Sequence, residues 1–189
     1  VKSTITFFSC AALGYSFKFV WAPLVDRLPL PVITKALGRR RAWMLVSQLA
    51  IMGAILLMSS VDPKASVESL TIMAYGAVLL GFSSATQDIV IDAYRIESAD
   101  MDLQSMLSAT YIAGYRIGML VAGAGGLFIA SYLGSTKELY SFDAWSGTYL
   151  MMAGVMLIGV ATTLIINEPK SERKETEYST TDYSRFFLL

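Results

Sequence analysis

Runs of about 20 apolar residues, each long enough for a helix to cross a bilayer, recur along this chain and set what it can fold into. Five such helices are expected, at about 4–25, 42–61, 70–94, 106–132 and 146–166. The fold class is therefore an all-α membrane protein: residues 1–168 form a transmembrane bundle, and 169–189 a charged linker. Only 16% of residues are charged and the mean hydropathy is +0.53, whereas a soluble domain carries about 25% charged residues. The first run ends in Trp21-Ala22-Pro23, an interfacial ring followed by a residue suited to a helix end or kink. After Asn167-Glu168-Pro169 the chain turns polar, through Lys170 to Glu175, and reads as a solvated segment. Phe186 to Leu189 could open a further apolar element.

Several function classes are excluded early. Fifteen basic and fifteen acidic residues leave no positive surplus for nucleic acid. A single cysteine, Cys10, rules out an intrachain disulfide framework and reads as a small buried hydrophobe. No histidine is present, which removes the commonest metal ligand and the usual general base. There is no GxGxxG, P-loop, HExxH or CxxC motif, and Ser59-Ser60 and Ser83-Ser84 have no histidine partner. A non-enzymatic protein with no cofactor and no metal is expected. The first residue is Val1, and no basic segment or small-residue cleavage site marks a signal peptide, so a start within a longer protein is expected.

Orientation follows from lysines and arginines in the short loops. Ten lie on one side: Arg27, Lys35, Arg39, Arg40, Arg41, Arg95, Lys170, Arg173, Lys174 and Arg185. Lys2, Lys64 and Lys137 lie on the other. The 26–41 loop and the C-terminus are thus expected in the cytoplasm and the N-terminus outside.

Ionisable residues inside the spans are few: Lys18, Asp88, Asp92 and Arg116. An Asp at a helix centre costs roughly 2.5–3.5 kcal/mol on insertion scales, so each requires a partner or a watered path. Asp88 and Asp92 are four apart and share one helix face, with Gln87 beside it. Counted from the basic-side interface, Asp88 and Arg116 are both roughly 14 Å deep at 1.5 Å per residue, which makes an Asp88–Arg116 pair the expected geometry. Asp92, a turn nearer the cytoplasm, is expected near Arg39–Arg41. Two readings stand: a structural ion pair that fixes helix register, or a proton and substrate pathway through Asp88, Asp92, Gln87, Arg116, Tyr115 and Lys18, near Tyr111.

The fourth span carries Gly114-Tyr115-Arg116-Ile117-Gly118, continued at four-residue steps by Ala122 and Gly126. Such a stripe lets helix backbones approach closely, or permits bending. The cluster Gly38-Arg39-Arg40-Arg41 after Asp26-Arg27 is a topology signal. It could also be a charge latch, since Asp26 at a helix C-terminus needs compensation.

Together these blocks resemble a known family. Phe17 to Arg27 followed by Gly38 to Arg41 is similar to the second helix and following loop of major facilitator transporters. Ala22 replaces an expected glycine, and Leu28 to Leu37 lengthen the loop. With Ser84-Ala85-Thr86-Gln87-Asp88-Ile89-Val90-Ile91-Asp92-Ala93 and Gly114 to Leu120, the chain resembles the AmpG muropeptide permeases, relatives of acetyl-coenzyme A transporters. The arginine motif found on helix four of many facilitators is absent. The resemblance implies helices two to six of a twelve-helix fold, with the missing helices of the same transporter as partners. It implies a bacterial inner-membrane secondary transporter that imports N-acetylglucosamine–anhydro-N-acetylmuramic acid peptides with protons, for peptidoglycan recycling. A transporter of another anionic substrate such as acetyl-coenzyme A is the alternative, with a membrane-embedded enzyme behind it. It also implies a cytoplasmic gating motif made of Asp26, Arg27, Gly38, Arg39, Arg40 and Arg41.

Overall fold

The computed structural model describes residues 16–136 and 138–169. Cys10, Lys137, the first part of the 4–25 span and the 170–189 linker lie outside the described residues. The chain forms α1 (Lys18–Arg27), α2 (Ile33–Leu37), α3 (Arg39–Ser59), α4 (Val67–Glu97), a 3-10 turn (Met101–Leu103), α5 (Gln104–Leu120), a π-helical turn (Val121–Gly125), α6 (Gly126–Tyr132) and α7 (Phe142–Ile165). Among the described residues, four helical stretches are long and apolar enough to cross a membrane: Arg39–Ser59, Val67–Glu97, Met101–Tyr132 and Phe142–Ile165. Helices suit a bilayer because each satisfies its own backbone donors and acceptors away from water.

The helix ends follow local chemistry. The Ser66 hydroxyl caps α4 by accepting from the Ser69 N–H at 3.0 Å, with Glu68 in the first turn and Arg95 in the last, both favourable to the helix dipole. Ser141 caps α7 by accepting from the Ala144 N–H at 3.3 Å, with Asp143 in its first turn. α3 starts three residues earlier than its apolar run. Gly38 turns the chain at φ +88°, and the Glu168 carboxylate accepts from the N–H groups of Arg40 (2.7 Å) and Arg41 (3.1 Å). A charged first turn is stable there because an anion covers the exposed N–H groups.

α3 is the central helix, packed against α4 on one side and α7 on the other, while α1 packs on α4. The α3–α4 contact is close because small residues line it: Ala42, Ala54, Ala74 and Ala85 are almost fully buried. Gly76 faces Met58 and Ala54. Close backbone approach of this kind holds helices together in lipid, where apolar side chains gain little by leaving the hydrocarbon. Thr163 Oγ1 donates to Gln48 Oε1 at 3.0 Å in a buried tie from α7 to α3, a bond worth about 0.6 kcal/mol on average in such a setting.

An apolar cluster of Val25, Met44, Ile89 and Val90, flanked by Trp21, Trp43 and Tyr94, sits toward the end that carries Arg39–Arg41. At the other end, Tyr140 donates to Asp62 Oδ1 at 3.2 Å, and Lys64 Nζ lies 4.2 Å from the Tyr140 ring centroid. The Tyr140 pKa lies above its ordinary value, first through burial and then through the Asp62 charge. α5 differs from the other helices. It touches α4 sparsely, and Met106, Ile112, Ile117, Met119 and Leu120 are exposed. A helix apolar on several faces fits a hydrocarbon environment or further helices.

Candidate functional site

Residues 84, 87, 88 and 91 recur at helical spacing on one face of α4, and 111, 114 and 115 do so on α5. The two faces stand apart, and an open cleft of about 420 Å³ lies between them, lined by Ser84, Gln87, Asp88, Ile91, Tyr111, Gly114 and Tyr115. Gly114 has no side chain to fill it, and a Cβ there would meet nothing within 4 Å among the described residues.

Asp88 is the knot of this cleft. Its Oδ2 is 2.6 Å from Lys18 Nζ on α1, and its Oδ1 accepts from the Tyr111 hydroxyl on α5 at 2.5 Å. One carboxylate thus joins three helices. Its side chain is 21% exposed and that of Lys18 38%, so the pair borders the cleft and is not sealed in the core. The partner differs from the Asp88–Arg116 pair expected from depth. Arg116 is exposed, with no ion pair among the described residues. Similar depth along the axis does not fix rotation about it. Arg116 lies five residues past Tyr111, about 140° around the helix at 100° per residue, and so points away from Asp88.

Asp92 also has a different partner from the one expected. Its Oδ1 is 3.4 Å from the Arg95 guanidinium, three residues on along α4. Arg95 donates as well to the Ser108 hydroxyl of α5, and its guanidinium carbon stands 5.6 Å from the Tyr111 ring centroid. Arg40 and Arg41 of the 39–41 cluster are engaged elsewhere.

That cluster forms a second constellation at the basic end. Arg40 is 4% exposed. Its fork grips Glu97, Nε to Oε2 at 3.0 Å and a terminal nitrogen to Oε1 at 2.5 Å, while the other terminal nitrogen donates to Asp26 Oδ1 at 2.6 Å. Bidentate pairing of this kind is the strong form of a charge-assisted bond. Arg41 donates to the carbonyls of Thr163 (2.9 Å) and Leu164 (2.7 Å) at the C-terminal end of α7, where a cation is favourable. Tyr94 donates to the Asn167 carbonyl at 2.8 Å. Arg27 is exposed and Arg39 half-buried. α1, α3, α4 and α7 are therefore bound together through Asp26, Arg40, Arg41, Glu97 and Glu168. Sequence reasoning did not single out Glu97 or Glu168. The available signals were the first acid past the third span and an acid just before Pro169.

The glycine stripe divides. A Cβ on Gly118, like one on Gly114, would meet nothing within 4 Å among the described residues, whereas one on Gly126 would lie 3.9 Å from the Thr148 methyl of α7.

An acid at bilayer depth joined to a lysine, a tight arginine knot at one end, and a bundle of apolar helices form one combination. The Major Facilitator Superfamily description matches residues 3–184. The chain belongs to the Major Facilitator Superfamily. It is 34% identical over 173 residues to the AmpG 4 protein of Rickettsia conorii, covering 92% of this chain and 39% of that protein. It is 37% identical over 167 residues to the anhydromuropeptide permease of Escherichia coli K12, covering 88% of this chain and 30% of that permease. A Haemophilus influenzae protein of uncharacterised function is 38% identical over 165 residues, 87% of this chain and 35% of the relative. This member of the superfamily is AmpG-like in sequence, and it spans 30–39% of the length of these relatives. No solved structure matches it.

Proposed function

We propose that this chain is part of the N-terminal half of a secondary transporter that imports anhydromuropeptides together with protons. In this reading its spans are helices two to six of twelve, embedded in a bacterial inner membrane with the basic end cytoplasmic. The observation that carries the proposal is Asp88, an acid at bilayer depth beside an open cleft, held by Lys18. A structural ion pair alone does not require such a cleft. The name of the Escherichia coli relative supports the choice of solute.

The mechanism is an exchange of partners. With Asp88 ionised, Lys18 is neutralised and the cleft carries no net charge from the pair. A proton taken up by Asp88 removes that attraction and frees the ammonium to hold a carboxylate of the solute. Gln87, Ser84 and Tyr115 offer amide and hydroxyl groups to its polar remainder. Arg116, exposed on α5, and Asp92 would then act beyond the pair, along the same pathway. The Asp26–Arg40–Glu97 knot holds the helices of this half as one body, as a rocking movement between halves requires.

The test is uptake of labelled N-acetylglucosamine–anhydro-N-acetylmuramyl peptide by cells that lack their own permease and express the complete gene. Asp88→Asn is expected to cut uptake at least tenfold, about 1.4 kcal/mol, at unchanged amounts of protein in the membrane. Normal uptake by that variant would remove Asp88 from the pathway. Competition by acetyl-coenzyme A but not by muropeptide would redirect the substrate assignment.

A further inference from the structure

We infer that Tyr111 is a positioning residue that links Asp88, deep in the cleft, to Arg95 at the basic end of α4, so that a change at either charge is felt at the other. Its relevance to transport rests on the role proposed for Asp88.

Asp88 and Arg95 are seven residues apart, two helical turns along one face, about 10.5 Å along the axis. Tyr111 of α5 bridges that interval. Its hydroxyl donates to Asp88 Oδ1 at 2.5 Å, and the Arg95 guanidinium lies 5.6 Å from its ring centroid. The two contacts strengthen each other. A carboxylate that accepts the phenolic proton pushes electron density into the ring, and a richer ring attracts the cation more strongly. Arg95 is itself held by Ser108, one turn before Tyr111 on α5, and by Asp92. The other charge at Asp88 is Lys18, contributed by α1. Of the basic groups of α3, Arg40 is held by Asp26 and Glu97, and Arg41 by the end of α7.

α5 has few other contacts with α4. Release of the Tyr111 hydroxyl from Asp88 therefore loosens the middle of α5 and withdraws the ring from Arg95. The cleft and the basic end then change together, through one aromatic side chain.

The experiment uses the complete transporter in membrane vesicles, with its native cysteines, Cys10 among them, replaced by serine and Gly114→Cys as a reporter on the cleft wall. The rate of its alkylation by N-ethylmaleimide is measured without substrate. Asp88→Asn and Arg95→Gln should each raise that rate about threefold or more, the scale of coupling between contacting residues. Tyr111→Leu should raise it as much, and neither charge substitution should add to it. Tyr111→Phe, which loses only the bond to Asp88, should match Asp88→Asn, and Asp88→Asn should add nothing to it. Charge substitutions that add fully to Tyr111→Leu, or an Asp88→Asn that adds fully to Tyr111→Phe, would overturn the inference. The labelling needs no solute, so the transport reading is judged separately. Non-additive labelling with normal uptake in Asp88→Asn would sink that reading and leave the Tyr111 link standing.

Discussion

Arg40→Leu is expected to destabilise the protein by about 3 kcal/mol, the lower end of the range for breaking a buried ion pair. The guanidinium is 4% exposed and supplies three bonds to two carboxylates. Removing it leaves Glu97 and Asp26 close together with no cation between them. Their side chains are 22% and 38% exposed, so water relieves part of the cost, which is why the upper end is not expected. Glu97→Gln should cost more than Asp26→Asn, because Glu97 takes two of the three bonds and is less exposed. Arg40→Lys should not rescue, since an ammonium cannot form the planar fork to Glu97 and also reach Asp26. Melting in detergent, followed by size-exclusion fluorescence, reads all four. A lysine variant that melts with the native protein would show that the fork geometry is immaterial.

The second large effect is expected at Gly38. The residue adopts φ +88°, and a Cβ there would overlap Cγ and Cδ of Glu168 and come within 2.7 Å of Oε2. Gly38→Ala meets both penalties. The backbone conformation, φ +88° with ψ 168°, costs about 1–3 kcal/mol for a residue with a Cβ. Displacing Glu168 strips the acceptor from the N–H groups of Arg40 and Arg41, and an unsatisfied buried donor costs about 1–3 kcal/mol. Glu168→Ala alone should carry only the second penalty. In combination the two substitutions should cost clearly less than their sum, because the overlap needs both the methyl and the carboxylate. Strict additivity in melting temperature would place the Glu168 carboxylate away from Gly38.

The apolar runs made the membrane fold legible, since a span needs only length and hydropathy. The helix ends were less so. α3 begins at Arg39 because of an acid 129 residues away, and no local pattern announces such a cap. The cleft was legible in part. Asp88, Gln87 and Tyr115 were singled out and do line one space, because helical spacing places residues on a face. Which residue answers across the gap depends on how each helix is turned about its axis. Depth alone chose Arg116, while the fold uses Lys18 and Tyr111. The loop arginines were recognised as a group, but Arg40 alone is buried, and its role depends on Glu97 at the far end of α4.

The π turn at Val121–Gly125 has a consequence for the glycines on either side of it. A turn closed by i→i+5 bonds takes in an extra residue, and each residue advances an α-helix by about 100°. The segment beyond it is therefore out of rotational phase with the segment before. On an unbroken α-helix Gly126 would stand about 80° from Gly118; the extra residue takes back about 100° and leaves the two roughly 20° apart, with a Cβ on Gly126 3.9 Å from the Thr148 methyl. A wheel drawn at about 100° per residue through all three hides this near-alignment, which exists only because the turn is there.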